Sequence, residues 1–225
     1  MKTYIITIKD NELSEQAAKK CIASTNIEIE KFNAITPEIV ENFFEHNELV
    51  WTYPWEEERY DFATGLKLSP YNTINQKSRI ACFASHFALW KKCIVEGPLL
   101  ILEHDAIFIK NFDPDFIENS NFGIVSINDP RGATRKATDY DEKVQASKNE
   151  ISIVPTIDDL TIPQGLPGNS AYVIKPTYAA ILIDKVYEHG AWPNDAIMCK
   201  QIMNNLGVSK TYYTKVQGTK STTSL

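Results

Sequence analysis

The chain has 225 residues, a net charge of −6, 43% hydrophobic residues and 11% aromatic residues. That length suits one substantial α/β domain or two small ones, and the apolar fraction is enough for a core. The acidic balance argues against a general electrostatic grip on nucleic acid or an anionic membrane, a local basic patch apart, and no stretch has the apolar length of a membrane span.

Residues 1–10 carry too short an apolar run for a signal peptide, and no small-residue cleavage site follows, so a cytoplasmic protein is expected. Residues 4–8 predict a strand, 13–24 a helix, and the alternation over 27–32 a second strand. Thr36 and Pro37 read as N-cap and first residue of a helix. Residues 51–71 hold Trp51, Tyr53, Trp55, Tyr60, Phe62 and Tyr71 among acids and two prolines, which predicts a long surface loop with local packing. The clearest helix is 78–95, with Ile80, Phe83, Ala84, Phe87, Trp90 and Ile94 at helical spacing and Gly97-Pro98 as its stop. An apolar strand over 99–109 follows. Residues 122–127 predict a strand, and 129–150 a charged loop, at least in part. A strand over 171–174 leads to Pro176, which opens a helix over 177–187. Asn194 caps a last helix over 195–206, and 212–216 is a final strand. Without repeats or a linker, this order predicts one α/β domain over 1–225 with a mixed sheet flanked by helices.

The stretch 99–109 reads Leu-Leu-Ile-Leu-Glu-His-Asp-Ala-Ile-Phe-Ile. If strand geometry persists, alternation puts Glu103 and Asp105 on one face and turns His104 to the other. Paired carboxylates repel unless a proton or cation lies between them. At the mouth of an α/β sheet, Mg²⁺ or Mn²⁺ carrying a diphosphate fits, which points to a nucleotide-sugar enzyme. Asp195 precedes Met198 by three and shares an inward helix face with it, Ile202 and Leu206. It reads as a base that takes the proton of an acceptor hydroxyl, or as plain helix N-terminal stabilisation. Ser85 and His86 are adjacent on a helix and make a poor nucleophile–base dyad; a donor contact or a structural role remains.

Gly168-Asn169-Ser170 enters a strand, so Asn169 and Ser170 read as acceptor-side residues or a plain turn. Trp51 and Trp55 stack on a sugar or base, or pack locally. Arg131, with Arg135 and Lys136, holds a phosphate-bearing ligand or lies in a solvated loop. Lys215, with Lys220, Ser221 and Thr222 of the tail 217–225, forms a candidate flap over the nucleotide. Cys21, Cys82, Cys93 and Cys199 form no Cys-x-x-Cys pair, and no zinc site is expected.

Several segments also stand in a meaningful order: Phe32-Asn33-Ala34-Ile35-Thr36-Pro37, Cys82-Phe83-Ala84-Ser85-His86 with Leu89-Trp90-Lys91, Glu103-His104-Asp105, Gly168 to Ile174 as Gly-Asn-Ser-Ala-Tyr-Val-Ile, Pro193-Asn194-Asp195, and Ser221-Thr222. This ordered set resembles glycosyltransferase family 25, the lipopolysaccharide and collagen galactosyltransferase group. The chain departs from the family pattern where His104 replaces the middle acid of Glu-Asp-Asp, where Arg79 replaces a Glu before Cys82, and where the first strand lacks a following arginine.

The resemblance implies a GT-A-like (Rossmann-like) α/β fold and transfer from a nucleotide sugar, with a UDP-sugar as expected donor and Mn²⁺ or Mg²⁺ as cofactor. It implies Asp105 as metal ligand, Glu103 on the nucleotide ribose or a metal-bound water, Ser85 and His86 toward the donor, Asp195 as catalytic base, and inversion at the anomeric carbon; Arg79, at a position that departs from the pattern, is also expected toward the donor. With no histidine beyond His189, any late metal ligand falls to Gln217, Ser221 or water. The family's acceptor is a surface saccharide. Small size and a Lys/Asn/Ile-rich style also fit a hydroxymethylated base in phage DNA. The alternative is a non-catalytic nucleotide-sugar-binding or scaffold protein, motivated by His104.

Overall fold

The computed structural model describes residues 1–157 and 159–218. Lys220, Ser221 and Thr222 of the expected flap lie outside the described residues. In chain order the elements are β1 (Lys2–Thr7), α1 (Glu12–Ala23), β2 (Glu30–Asn33), α2 (Val40–His46), β3 (Arg59–Asp61), β4 (Leu66–Leu68), α3 (Gln76–Glu96), β5 (Leu99–Glu103) and β6 (Ala106–Phe108). There follow α4 (Asp115–Glu118), β7 (Ile124–Ser126), α5 (Ala137–Gln145), β8 (Ile151–Ile153), β9 (Ala171–Ile174), α6 (Pro176–His189), α7 (Asn194–Ile197), β10 (Leu206–Ser209) and β11 (Thr214–Val216).

Seven strands form a mixed sheet in the order β2-β1-β5-β9-β7-β10-β8. β1 is parallel to β2 and β5, and β10 to β7, while β9 runs antiparallel to both β5 and β7. Its central strands are continuous apolar runs because both faces are covered. Alternation divides them between two layers. Tyr4, Ile6, Leu99, Ile101, Tyr172 and Ile174 face a core with Phe83, Phe87 and Trp90 of α3 and Leu182 and Val186 of α6. Ile5, Leu100, Leu102, Ala171 and Val173 face the opposite core, with Ala18 and Cys21 of α1. This is the α/β architecture with a mixed, helix-flanked sheet that the element order predicts.

Local chemistry sets the helix ends. Asn11 accepts from the Ser14 amide at 2.9 Å at the start of α1, and Asn75 accepts from the Ser78 amide at 3.3 Å at the start of α3. α3 stops at Gly97, whose φ of 95° suits glycine. Among the described residues no helix is long and apolar enough to cross a membrane.

Several expected elements differ. Thr36-Pro37 opens a turn, in which the Ile39 and Val40 amides donate to the Thr36 carbonyl, and α2 starts only at Val40. The loop over 51–71 contains the β3–β4 hairpin, and 129–150 contains α5. The helix expected over 195–206 is a single turn, α7, and Leu206 begins β10. Its apolar residues are spaced for a helix face, yet the chain pairs instead with the preceding loop: Lys200 N–H donates to the Gln164 carbonyl at 3.0 Å. Here tertiary pairing overrides periodicity.

Candidate functional site

In this sheet β5 ends where the antiparallel β9 begins. The carboxylates after Leu102 therefore meet the Gly168-Asn169-Ser170 loop, and the Glu103 amide donates to the Ser170 carbonyl at 2.9 Å. A cleft of about 390 Å³ opens there, at the carboxyl ends of β1, β2 and β5. Change of strand direction beside those ends is where α/β sheets form ligand crevices. Arg79, Cys82, Ser85 and His86 of α3, Glu103, His104 and Asp105, Asn169 and Ser170, and Asn194 and Asp195 of α7 line it. Gly132 and Ala133 close one side.

Strand geometry does not persist past Glu103. His104 and Asp105 form a turn, and the chain leaves to pair β6 with β11. His104 therefore also lines the cleft, contrary to simple alternation. Glu103 is gripped from behind. Trp90 Nε1–H donates to the Tyr172 hydroxyl at 2.8 Å, and that hydroxyl lies 2.8 Å from His86 Nδ1. His86 Nε2 lies 3.1 Å from Glu103 Oε1. Indole N–H only donates and a carboxylate only accepts. The Tyr172 proton thus goes to Nδ1, and His86 Nε2–H donates to Glu103.

This arrangement separates the carboxylates electrostatically. Burial favours protonation of Glu103, but the hydrogen bond from His86, with His104 and Ser170, holds its pKa below the ordinary value. Asp105 is pushed up to about 7, first by burial and then by the Glu103 charge. Asp195 is also raised by burial, against the Tyr71 hydrogen bond and the Arg79 charge. Arg79 sits over the Tyr71 ring at 4.8 Å and donates from Nε to Thr73 Oγ1 at 2.6 Å.

Three buried side-chain oxygens around this cleft have no hydrogen-bond partner within the protein: Asp105 Oδ1, Asn169 Oδ1 and Asn194 Oδ1. Buried polar atoms are normally satisfied, so a cluster of orphans marks a place built for a ligand. The donor set is all oxygen, with a carboxylate that a cation would discharge, and it fits Mg²⁺ or Mn²⁺.

Of the expected site residues, Arg79, Glu103, Asp105, Asn169, Ser170 and Asp195 come together in the cleft. Ser85 and His86 do as well, but engaged: Ser85 Oγ accepts from Ile35 N–H at 2.9 Å and donates to the Ala81 carbonyl at 2.9 Å, and the His86 ring is fully buried. In the structure they hold the Ile35 backbone and Glu103 in place. Trp51 and Trp55 lie elsewhere. Their rings stack on each other at 5.0 Å, Trp51 meets Phe83 edge-on, and neither lines the cleft.

Arg131 points away from the cleft into a separate shallow depression. Its guanidinium pairs with Asp129 at 2.6 Å and lies over Tyr212. Arg131 of the basic loop is thus paired with an acid, and the Trp51–Trp55 pair is packed against α3. Gln217 is anchored through its Nε2, which donates to the Ala17 and Ala106 carbonyls, each at 2.9 Å. Tyr71 and the Asn194 amide escaped sequence reading: no spacing ties Tyr71 to Asp195, and Asn194 read as a helix cap.

Gly165 shows how closely Asp195 is held. A Cβ there would stand 2.2 Å from the Asp195 carbonyl oxygen. Gly165→Ala is therefore expected to shift α7. Destabilisation by about 1–3 kcal/mol in urea melts and a loss of about 100-fold in turnover should accompany it. Wild-type turnover in this variant would show that the placement of Asp195 is not critical.

Residues 1–198 match the family described as Glycosyltransferase family 25 (LPS biosynthesis protein). No curated protein matches the chain. Among solved structures, an active-site mutant of LgtC is similar at 9% identity and a TM-score of 0.46, over 92% of this chain and 72% of the other. The galactosyltransferase LgtC with donor and acceptor sugar analogues is similar at 11% identity and a TM-score of 0.43, over 92% and 73%. Mouse xyloside xylosyltransferase 1 is similar at 12% identity and a TM-score of 0.41, over 89% and 80%. The family match runs through Glu103, Asp105, Asn169 and Asp195 and over most of the sequence, and the chain belongs to glycosyltransferase family 25.

Proposed function

We propose that the chain, acting as one domain over 1–225, moves a sugar from a nucleotide sugar, a UDP-sugar in this reading, to a hydroxyl of a saccharide acceptor. The observation that carries the reading is the set of unpartnered buried oxygens on Asp105, Asn169 and Asn194 around one cleft beside two carboxylates of unlike pKa. Asp105 would hold Mn²⁺ or Mg²⁺, which when bound supplies positive charge against the departing diphosphate.

The chain's own residues do the rest. Glu103, kept ionised and fixed by His86, accepts from donor hydroxyls. Asn169 and Asn194 turn their amide oxygens to sugar hydroxyls, which would satisfy atoms that otherwise cost free energy. Asp195 takes the proton of the attacking acceptor hydroxyl, and its raised pKa makes it a stronger base than an exposed Asp. Tyr71 positions that carboxylate by its hydrogen bond. A base on the acceptor side supports direct displacement with inversion. The four cysteines are free thiols, which supports a reducing, cytoplasmic setting.

The test is a panel of nucleotide sugars assayed with Mn²⁺ for release of the nucleoside diphosphate, with and without saccharide acceptors. The product's anomeric configuration is then read by NMR. Acceptor-stimulated release from one donor, with inverted product, is expected. Tight donor binding with no release under any acceptor would instead make the chain a binding protein.

A further inference from the structure

Cys82 and His86 stand four residues apart on α3, so the helix stacks them on the one face that lines the cleft. β5 ends opposite that face and delivers Glu103. Glu103 Oε1 is 3.1 Å from His86 Nε2 and 3.9 Å from Cys82 Sγ, and the three candidate ligand atoms lie within 4.8 Å of one another. Bonds of about 2.0–2.3 Å at tetrahedral angles set nitrogen, oxygen and sulfur ligands roughly 3.3–3.6 Å apart. To meet that geometry His86 Nε2 and Glu103 Oε1 would part slightly and the Cys82 sulfur would close in.

We infer that Cys82, His86 and Glu103 form a three-ligand site for a zinc-class cation, separate from Asp105, and that filling it draws Glu103 off the donor and stops transfer. The inhibitory half rests on the donor role proposed for Glu103; the metal binding does not. A thiolate, an imidazole and a carboxylate select zinc over magnesium or manganese, whereas the Asp105 carboxylate selects the harder ions. A fourth position stays open toward the cleft.

Surrounding groups suit the task. Asn194 Nδ2 lies 3.9 Å from Cys82 Sγ and would donate to the thiolate. Binding breaks the Cys82 S–H bond, releases that proton to solvent and forms a metal–sulfur bond. At His86 the ring proton moves from Nε2 to Nδ1 as Nε2 takes the metal. Nδ1–H then donates to the Tyr172 oxygen, whose two lone pairs serve it and Trp90, and the Tyr172 hydroxyl rotates its own proton off Nδ1. No electron is transferred. The absence of Cys-x-x-Cys spacing hid this set, because its third member comes from a different element.

Cobalt(II) reports the ligands directly. Titrating the full chain with Co²⁺ should produce a sulfur-to-cobalt charge-transfer band in the near ultraviolet, displaced by Zn²⁺. The band should persist in Asp105→Asn and vanish in Cys82→Ser, with circular dichroism confirming that each variant is folded. Zn²⁺ affinity in Cys82→Ser should fall at least about tenfold, the loss typical of removing even an outer-shell partner. No band in the wild type, or a band that survives Cys82→Ser, overturns the site. If the band behaves as expected and no donor is ever turned over, the glycosyl-transfer reading fails while the metal site stands. If transfer proceeds undiminished with the zinc-class site filled, the inhibitory role is overturned.

Discussion

Asp105→Asn is expected to lower Mn²⁺-dependent transfer at least about a hundredfold, since a lost cation forfeits several kcal/mol of charge stabilisation. A second readout needs no substrate. Folding that favours the protonated form of Asp105 contributes stability that is complete below its ordinary 3.8 and is lost as pH rises through about 7. Glu103 runs the other way, with a folded pKa held below its ordinary 4.5, so its contribution is already present from pH 5 upward. A divalent cation binds the carboxylate, not the acid. Its stabilisation of the wild type should therefore grow from pH 5 to pH 8. At about 100 times its Kd it should reach about 2.7 kcal/mol, or roughly 5–10 °C in Tm. In Asp105→Asn the growth with pH should disappear. A Tm response to Mn²⁺ that is the same in both proteins at both pH values would remove Asp105 from the metal.

Asp195→Asn carries the second large effect. Loss of a positioned general base costs about 10²–10⁴ in turnover, and the donor KM should change little because Asp195 acts on the acceptor. The amide keeps the size of the side chain beside Tyr71, so the fold is expected to survive. The pH profile separates chemistry from structure. A base whose pKa is raised by burial gives an acid limb above the ordinary 3.8, with rate falling as pH drops through the folded value. That limb should be absent from the residual activity of Asp195→Asn. Turnover within a few-fold of wild type, or an unchanged acid limb, would assign the proton to another group.

Sequence periodicity was sufficient for the sheet's central strands and for α3, α6 and α1, because both faces of β1, β5 and β9 are covered and the helices carry clear apolar stripes. The ordered motifs reached Glu103, Asp105, Asn169, Ser170 and Asp195 because each lies at the end of a strand or in the first turn of a helix. There, sequence neighbours are also neighbours in space. The same reasoning failed at 195–206, where helical spacing of apolar residues concealed one turn and a strand, and at 104–105, where the chain leaves the sheet.

The sequence alone determined that a mixed α/β sheet would carry carboxylates at the end of its central strand, since alternation, caps and glycine stops act over a few residues. Only the tertiary structure decided that β9 runs antiparallel to β5, which sets Ser170 against Glu103. It alone locked His86 behind Glu103, buried Trp51 against Phe83, paired Arg131 with Asp129 and brought Tyr71 to Asp195. Those relations join residues far apart in the chain. Burial and charge then shift their protonation in ways that no local pattern encodes.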